Sequence, residues 1–129
     1  MLQIAEAMMN EGYNPTDILY ISFDHPVLKL VSMEKIINIF RVNIASGSNR
    51  LLLLLDEIHY AADWSTWVKL YVDFNREYRI IATGSASSLI STDMAESGAG
   101  RWVEIRIPTL SYKSMLISWV SKNLKYLKT

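Results

Sequence analysis

Leu51-Leu52-Leu53-Leu54-Leu55 runs without a break into Asp56-Glu57. Alternate side chains of a strand point to opposite faces, so five consecutive leucines leave no face for water. Such a run suits a strand covered by helices on both sides, as in a parallel sheet. Periodicity alone would also admit a buried helix. The shortness of the run and the Ser46-Gly47-Ser48-Asn49 loop before it favour a strand. Asp56 and Glu57 then stand at the carboxyl edge of the sheet, where α/β folds bind ligands. As sequence neighbours they point to different sides, so one can face a metal-bound phosphate while the other orients a water. The plainer alternative is an acidic pair that simply ends an apolar strand at the solvent boundary.

The flanking segments alternate in type. Residues 2–11 are rich in helix formers, with Gly12 as a stop. Asn14-Pro15 marks a turn, and 18–23 reads as a strand ending at Asp24. Met33, Ile36, Ile37, Phe40 and Ile44 recur at helical spacing behind Ser32, a ready N-cap. Trp64, Trp67, Val68 and Tyr71 form a second amphipathic stripe, and 79–83 a further short strand before a Ser-rich stretch at 85–92. Residues 102–107 alternate like a strand and stop at Pro108. Tyr112, Met115, Leu116, Trp119, Val120, Leu124 and Leu127 make one helical face, capped by Ser111, with Lys122, Lys125 and Lys128 suited to the helix's negative end. Strands separated by helical patterns imply parallel crossovers and a three-layer α/β/α fold with a mostly parallel sheet. The order opens on a helix where such domains usually open on a strand.

Composition narrows the function classes. Half of the 129 residues are hydrophobic and 20% are charged, which fits a globular domain and argues against disorder. The 13 basic residues balance the 13 acidic ones, giving no electrostatic case for nucleic acid or a membrane surface. No cysteine is present, which removes disulfides, thiolate metal sites and cysteine nucleophiles. The first residues carry Glu6 and no early Lys or Arg, unlike a signal peptide. The leucine run is too short to span a bilayer, so a cytoplasmic protein is expected.

Two further places could carry chemistry. A hydroxyl of Thr83-Gly84-Ser85, at the end of the 79–83 strand, could bond a phosphate or an attacking water. It is also ordinary turn chemistry. Arg101, beside Gly98-Ala99-Gly100, has the side chain suited to phosphates, or is a surface arginine opening a strand.

Together these pieces resemble the AAA-type ATPases of the additional-strand P-loop class, in particular a prokaryotic group with a conserved C-terminal region after the ATPase domain. The carrying segments are ILYISFDHP (18–26), LLLLLDEIHYAADWSTWVKLYVD (51–73), RIIATGSASSLIS (79–91) and GRWVEIRIPTLSYKSML (100–116). The resemblance implies that 51–57 is the Walker B segment, with Asp56 contacting Mg²⁺ through water and Glu57 activating the hydrolytic water. It implies a sensor at Thr83 or Ser85, without choosing between them. Arg101 matches the family's Gly-Arg, a nucleotide-sensing or inter-subunit arginine. ATP and Mg²⁺ are the cofactors so implied. Ser114 stands where relatives usually have an acid, and Thr109 interrupts their Pro-Leu-Ser.

One part of that family's site is missing from the sequence. A phosphate-gripping loop needs Gly-x-x-x-x-Gly-Lys-Ser/Thr. The five glycines, at 12, 47, 84, 98 and 100, are followed by Tyr, Ser, Ser, Ala and Arg. The resemblance therefore implies a partial ATPase core over residues 1–129, beginning inside the helix after that loop and lacking the first strand. That strand would lie between 79–83 and 102–107. Its loss is expected to leave a gap or to force those two strands to pair. Unpaired edges invite a homodimer or a strand-swapped oligomer. ATP binding would need the loop supplied in trans, and no cofactor is expected on this chain alone.

Two other classes are open. A receiver-like phosphoacceptor domain would place its acceptor at Asp56 and a threonine at Thr83, but lacks the lysine that should end the last strand. A non-catalytic interaction module could use the four tryptophans and six methionines as a sticky surface. Trp64, Trp67 and Trp119 fall on amphipathic stripes, which favours core packing. His59 lies close enough in sequence to Asp56-Glu57 to suggest an Asp/Glu/His metal site, without further ligands at suitable spacing.

Overall fold

The computed structural model describes residues 1–45, 47–85, 100–107, 111 and 114–116. Among these, α1 (Leu2–Asn10) is followed by β1 (Ile18–Ser22), α2 (Met33–Asn43), β2 (Leu52–Asp56), α3 (Trp64–Phe74) and β3 (Arg79–Ala82). The three strands form one parallel sheet in the order β1-β2-β3. Ile18 pairs with Leu52 and Ser22 with Asp56 on one side of β2, and Leu52 pairs with Arg79 on the other.

The leucine run is the centre of this sheet, and all five side chains are fully buried. Leu51, Leu53 and Leu55 share a core with Ile21, with Met33, Ile37 and Phe40 of α2, and with Val68 and Tyr71 of α3. Leu52 and Leu54 face the other way, onto Tyr13 and against Ile4, Ala5 and Met8 of α1. Helices thus cover both faces of the sheet, which gives the three α/β/α layers expected from the sequence.

The local signals act as their chemistry dictates. Ser32 Oγ accepts the Lys35 amide at 3.3 Å, capping α2. Gly12, past the end of α1, takes φ +95°, a left-handed conformation that glycine adopts without steric cost. Trp64 and Trp67 pack against the larger core, so these two tryptophans belong to the interior rather than to a sticky surface. Ser111 Oγ accepts the Ser114 amide at 3.2 Å where residues 114–116 turn helical. The rest of the C-terminal helix expected from the sequence, Trp119 included, lies outside the described residues, as do most of the Ser-rich stretch and Gly98.

The expected strand at 102–107 does not form. Trp102 packs against the main core, but the segment carries no strand pairing. Val103, Ile105 and Ile107 are 86%, 80% and 87% exposed. Arg106 Nε instead bonds Glu104 Oε1 at 2.7 Å, two residues away on the same side. Alternation makes a segment capable of being a strand, but a ladder partner makes it one. The neighbour this segment would need is not among the described residues, and it does not pair with β3. Among the described residues nothing pairs with the outer edge of β3. Among the described residues no helix is long and apolar enough to cross a membrane.

Candidate functional site

β2 ends at Asp56, and the chain leaves the sheet at Glu57 by a sharp turn. Glu57 sits at φ 50°, ψ 43°, in the left-handed region that residues with a Cβ rarely enter. The turn is held from β3: Ile58 N–H donates to Thr83 O at 2.9 Å, while Thr83 N–H donates to Leu55 O at 2.9 Å. Ile58, fully buried, anchors the short turn Ile58–Tyr60 to the core. Backbone strain at a ligand edge is stored only where the surroundings over-determine it, and here they do.

The side chains close the same junction. Thr83 Oγ1 donates to Asp56 Oδ1 and accepts the Glu57 amide at 3.2 Å. The opposite oxygen of the carboxylate, Asp56 Oδ2, accepts the Tyr20 hydroxyl at 3.1 Å. Asp56 is therefore gripped from both neighbouring strands. Its hydrogen bond and charge hold the Tyr20 hydroxyl protonated above the usual tyrosine range, with partial burial adding to the effect. The backbone reinforces the arrangement, since Phe23 N–H donates to Asp56 O at 2.9 Å.

Glu57 is turned away from this clasp. Its Oε2 lies 3.3 Å from His59 Nδ1, a contact at charge-pair distance that is not aligned as a hydrogen bond. His59 stacks on Tyr60, whose ring in turn lies under the Lys29 ammonium at 3.8 Å. Among the described residues no three His, Cys, Asp or Glu side chains gather as a metal cage. The Asp/Glu/His metal site thus finds no support.

Of the residues singled out in the sequence, Asp56, Glu57 and Thr83 come together. Ser85 lies exposed two residues beyond Thr83, at the same edge. Arg101 is directed elsewhere: its Nε bonds Asp73 Oδ1 at 2.8 Å. Asp73 is in the last turn of α3, which runs back toward the amino edge of the sheet, away from the carboxylates. The hydrogen bond to Arg101 keeps the Asp73 carboxyl below its usual range, and the same bond raises the guanidinium. Tyr20 was not singled out by sequence. A cleft lined by Arg41, Asn49, Asn75, Arg76 and Tyr78 lies at the loops entering β2 and β3, the opposite edge from the carboxylates.

This donor set fits a hydrated magnesium ion shared with phosphate oxygens, because Mg²⁺ usually takes one or two carboxylates and keeps several waters. Asp56, with Thr83 beside it, would hold such an ion through water, while the Glu57 carboxylate, following Asp56 in the chain, lies against His59. The sequence carries no Gly-x-x-x-x-Gly-Lys-Ser/Thr to cradle the phosphates themselves.

Comparison with known proteins bears on the same region. An uncharacterized protein of Haemophilus influenzae is 30% identical over 118 residues, 90% of this chain and 29% of the relative. An uncharacterized protein of Methanocaldococcus jannaschii is 29% identical over 100 residues, 78% of this chain and 22% of the relative. The chain thus spans less than a third of the length of either relative. No solved structure matches it. A family profile described as an AAA domain matches residues 1–116, taking in all three strands, the acidic pair and Thr83. With that match laid over a parallel sheet whose central strand ends in Asp56-Glu57, the chain belongs to the AAA domain family of P-loop-type ATPases.

Proposed function

We propose that the chain supplies the metal- and water-handling half of an ATP-hydrolysing site. Asp56 holds Mg²⁺ through water, Glu57 activates the attacking water, and Thr83 senses the phosphate. The observation that carries this reading is the clasp between Asp56 and Thr83 across the carboxyl ends of β2 and β3. Hydrolysis of a phosphoanhydride depends on positioning and charge stabilisation, and a preset carboxylate–hydroxyl pair supplies the metal side of both. Contact with Asp56 supports Thr83 over Ser85 as the sensor. Arg101, whose Nε bonds Asp73 at the far end of α3, is kept in this reading as the nucleotide-sensing or inter-subunit arginine.

The 129 residues contain no Gly-x-x-x-x-Gly-Lys-Ser/Thr. Without a fixed phosphate the carboxylates have nothing to act on, so this polypeptide alone is expected to show no one-site Mg-ATP binding in the micromolar range. Isothermal titration of the chain, and of the chain fused behind a strand and a phosphate-gripping loop, checks both halves of the idea. The fused protein should bind and hydrolyse Mg-ATP. Tight one-site binding by the 129 residues alone would overturn the half-site reading. A fused chain with native circular dichroism that binds no Mg-ATP would overturn the ATPase reading itself.

The outer edge of β3, which no described residue pairs, also supports self-association. Ile80 and Ala82 turn their N–H and C=O groups away from β2, because Arg79 and Thr83 are the residues bonded to it. A second copy can add its 102–107 segment there, where Val103, Ile105 and Ile107 are exposed. Light scattering after size exclusion should show dimer growing with concentration, and Ile105→Lys should suppress it. A clean monomer at millimolar chain concentration rules this assembly out.

A further inference from the structure

The clasp on Asp56 has a member on β1 that the reading above does not use. Tyr20 pairs in register with Leu54, two residues before Asp56 on the same face of the sheet. Its ring spans that two-residue step along the strand and delivers the hydroxyl to Asp56 Oδ2 at 3.1 Å. A serine or threonine at the same position is too short to do so. The residue is 43% exposed, so the bond is not a by-product of core packing.

A carboxylate has about four lone-pair positions. Thr83 occupies one on Oδ1 from the β3 side, and Tyr20 occupies one on Oδ2 from the β1 side. With both oxygens tethered from opposite flanks the carboxylate cannot swing about its side-chain torsions. The lone-pair positions left over are those available to a water shell. With Thr83 alone, rotation about the Cβ–Cγ bond would remain.

We propose that Tyr20 is a positioning residue: its hydroxyl fixes the orientation in which Asp56 meets the water shell of a bound divalent cation. This rests on Asp56 being the metal-side carboxylate. Partners that orient metal-facing groups in this way are worth roughly 10- to 100-fold in metal affinity. Tyr20→Phe removes one oxygen and leaves the ring, so the fold is untouched and the metal effect stands alone.

The test uses Mn²⁺ as a paramagnetic probe on the 129-residue chain, read by the loss of backbone amide signals in a nitrogen–proton correlation spectrum. In the unaltered chain, broadening should centre on Asp56, Glu57 and Thr83 at millimolar metal, and Asp56→Asn should abolish it. Tyr20→Phe should raise the half-broadening concentration roughly 10-fold with an unchanged melting temperature. A lower melting temperature with the same metal dependence would make Tyr20 structural only and overturn the proposal. An unmoved metal dependence with broadening still centred on Asp56 overturns it too, and leaves Asp56 as the metal contact. Broadening centred elsewhere in the unaltered chain overturns the metal reading of Asp56, and Tyr20 falls with it.

Discussion

Glu57→Gln, introduced into the chain fused behind a phosphate-gripping loop, should lower ATP turnover by roughly 10²–10⁴-fold, the contribution of a well-placed general base. Mg-ATP binding should be retained, because the amide keeps the shape of the side chain and Glu57 does not touch the metal side of the clasp. Its backbone supports the assignment. A glutamate at φ 50° is held there against its preference, and strain of this kind gathers at sites where function over-determines conformation. Glu57→Gly tests that directly. Relief of a left-handed conformation is worth about 1–2 kcal/mol, from which glycine's greater entropy loss takes back about 0.5–1 kcal/mol. The glycine variant should therefore be slightly more stable and equally inactive. Turnover within threefold of the parent in Glu57→Gln, measured by phosphate release under saturating Mg-ATP, would remove Glu57 from the chemistry.

The contrast between what the sequence disclosed and what it hid follows from the range of the forces. The leucine run could be read as a doubly covered strand because its burial is a property of five adjacent residues. Ser32 and Gly12 were legible for the same reason, since caps and stops act within one turn of helix. Asp56 and Glu57 were placed at the carboxyl edge by chain order alone. Residues 102–107 misled because alternation reports only the two faces of a strand and says nothing about its hydrogen-bonding edges. Their exposed Val103, Ile105 and Ile107 show a segment with the right pattern and no strand partner among the described residues. Tyr20 was hidden because its role depends on the register between β1 and β2. A one-residue slip would put its ring on the other face. Its one sequence signal was a lone hydroxyl-bearing aromatic among the aliphatics Ile18, Leu19 and Ile21, visible only once the pairing is known. Arg101 reads as a phosphate ligand beside its glycines, and only tertiary structure brings Asp73 to it from 28 residues away.

The same partition of the leucines predicts unequal costs for two mutations that look identical in sequence. Leu53 and Leu54 are adjacent, chemically the same and both fully buried, yet they enter different cores. Leu53 is enclosed by strand neighbours and by both α2 and α3, a cluster of 13 buried residues among those described. Among the described residues Leu54 looks onto a thinner layer, with Tyr13 and Leu52 buried beside it and α1 lying over them without a buried residue. Truncation to alanine costs the lost transfer energy plus whatever cavity the surroundings cannot fill. A layer made of one short helix with no buried residue of its own can settle inward, whereas two helices braced against each other and against the sheet cannot. Leu53→Ala should therefore cost about 4 kcal/mol and Leu54→Ala about 2.5–3 kcal/mol, the upper and lower halves of the usual range for such truncations. The first is a large share of the 5–15 kcal/mol typical of a domain and should leave the chain partly unfolded at 37 °C. Urea denaturation followed by circular dichroism, with the slope of free energy against urea held common, separates the two. If Leu54→Ala proves the costlier, α1 is braced more firmly than its exposure implies, and the α1 face would then be the better-packed side of the sheet.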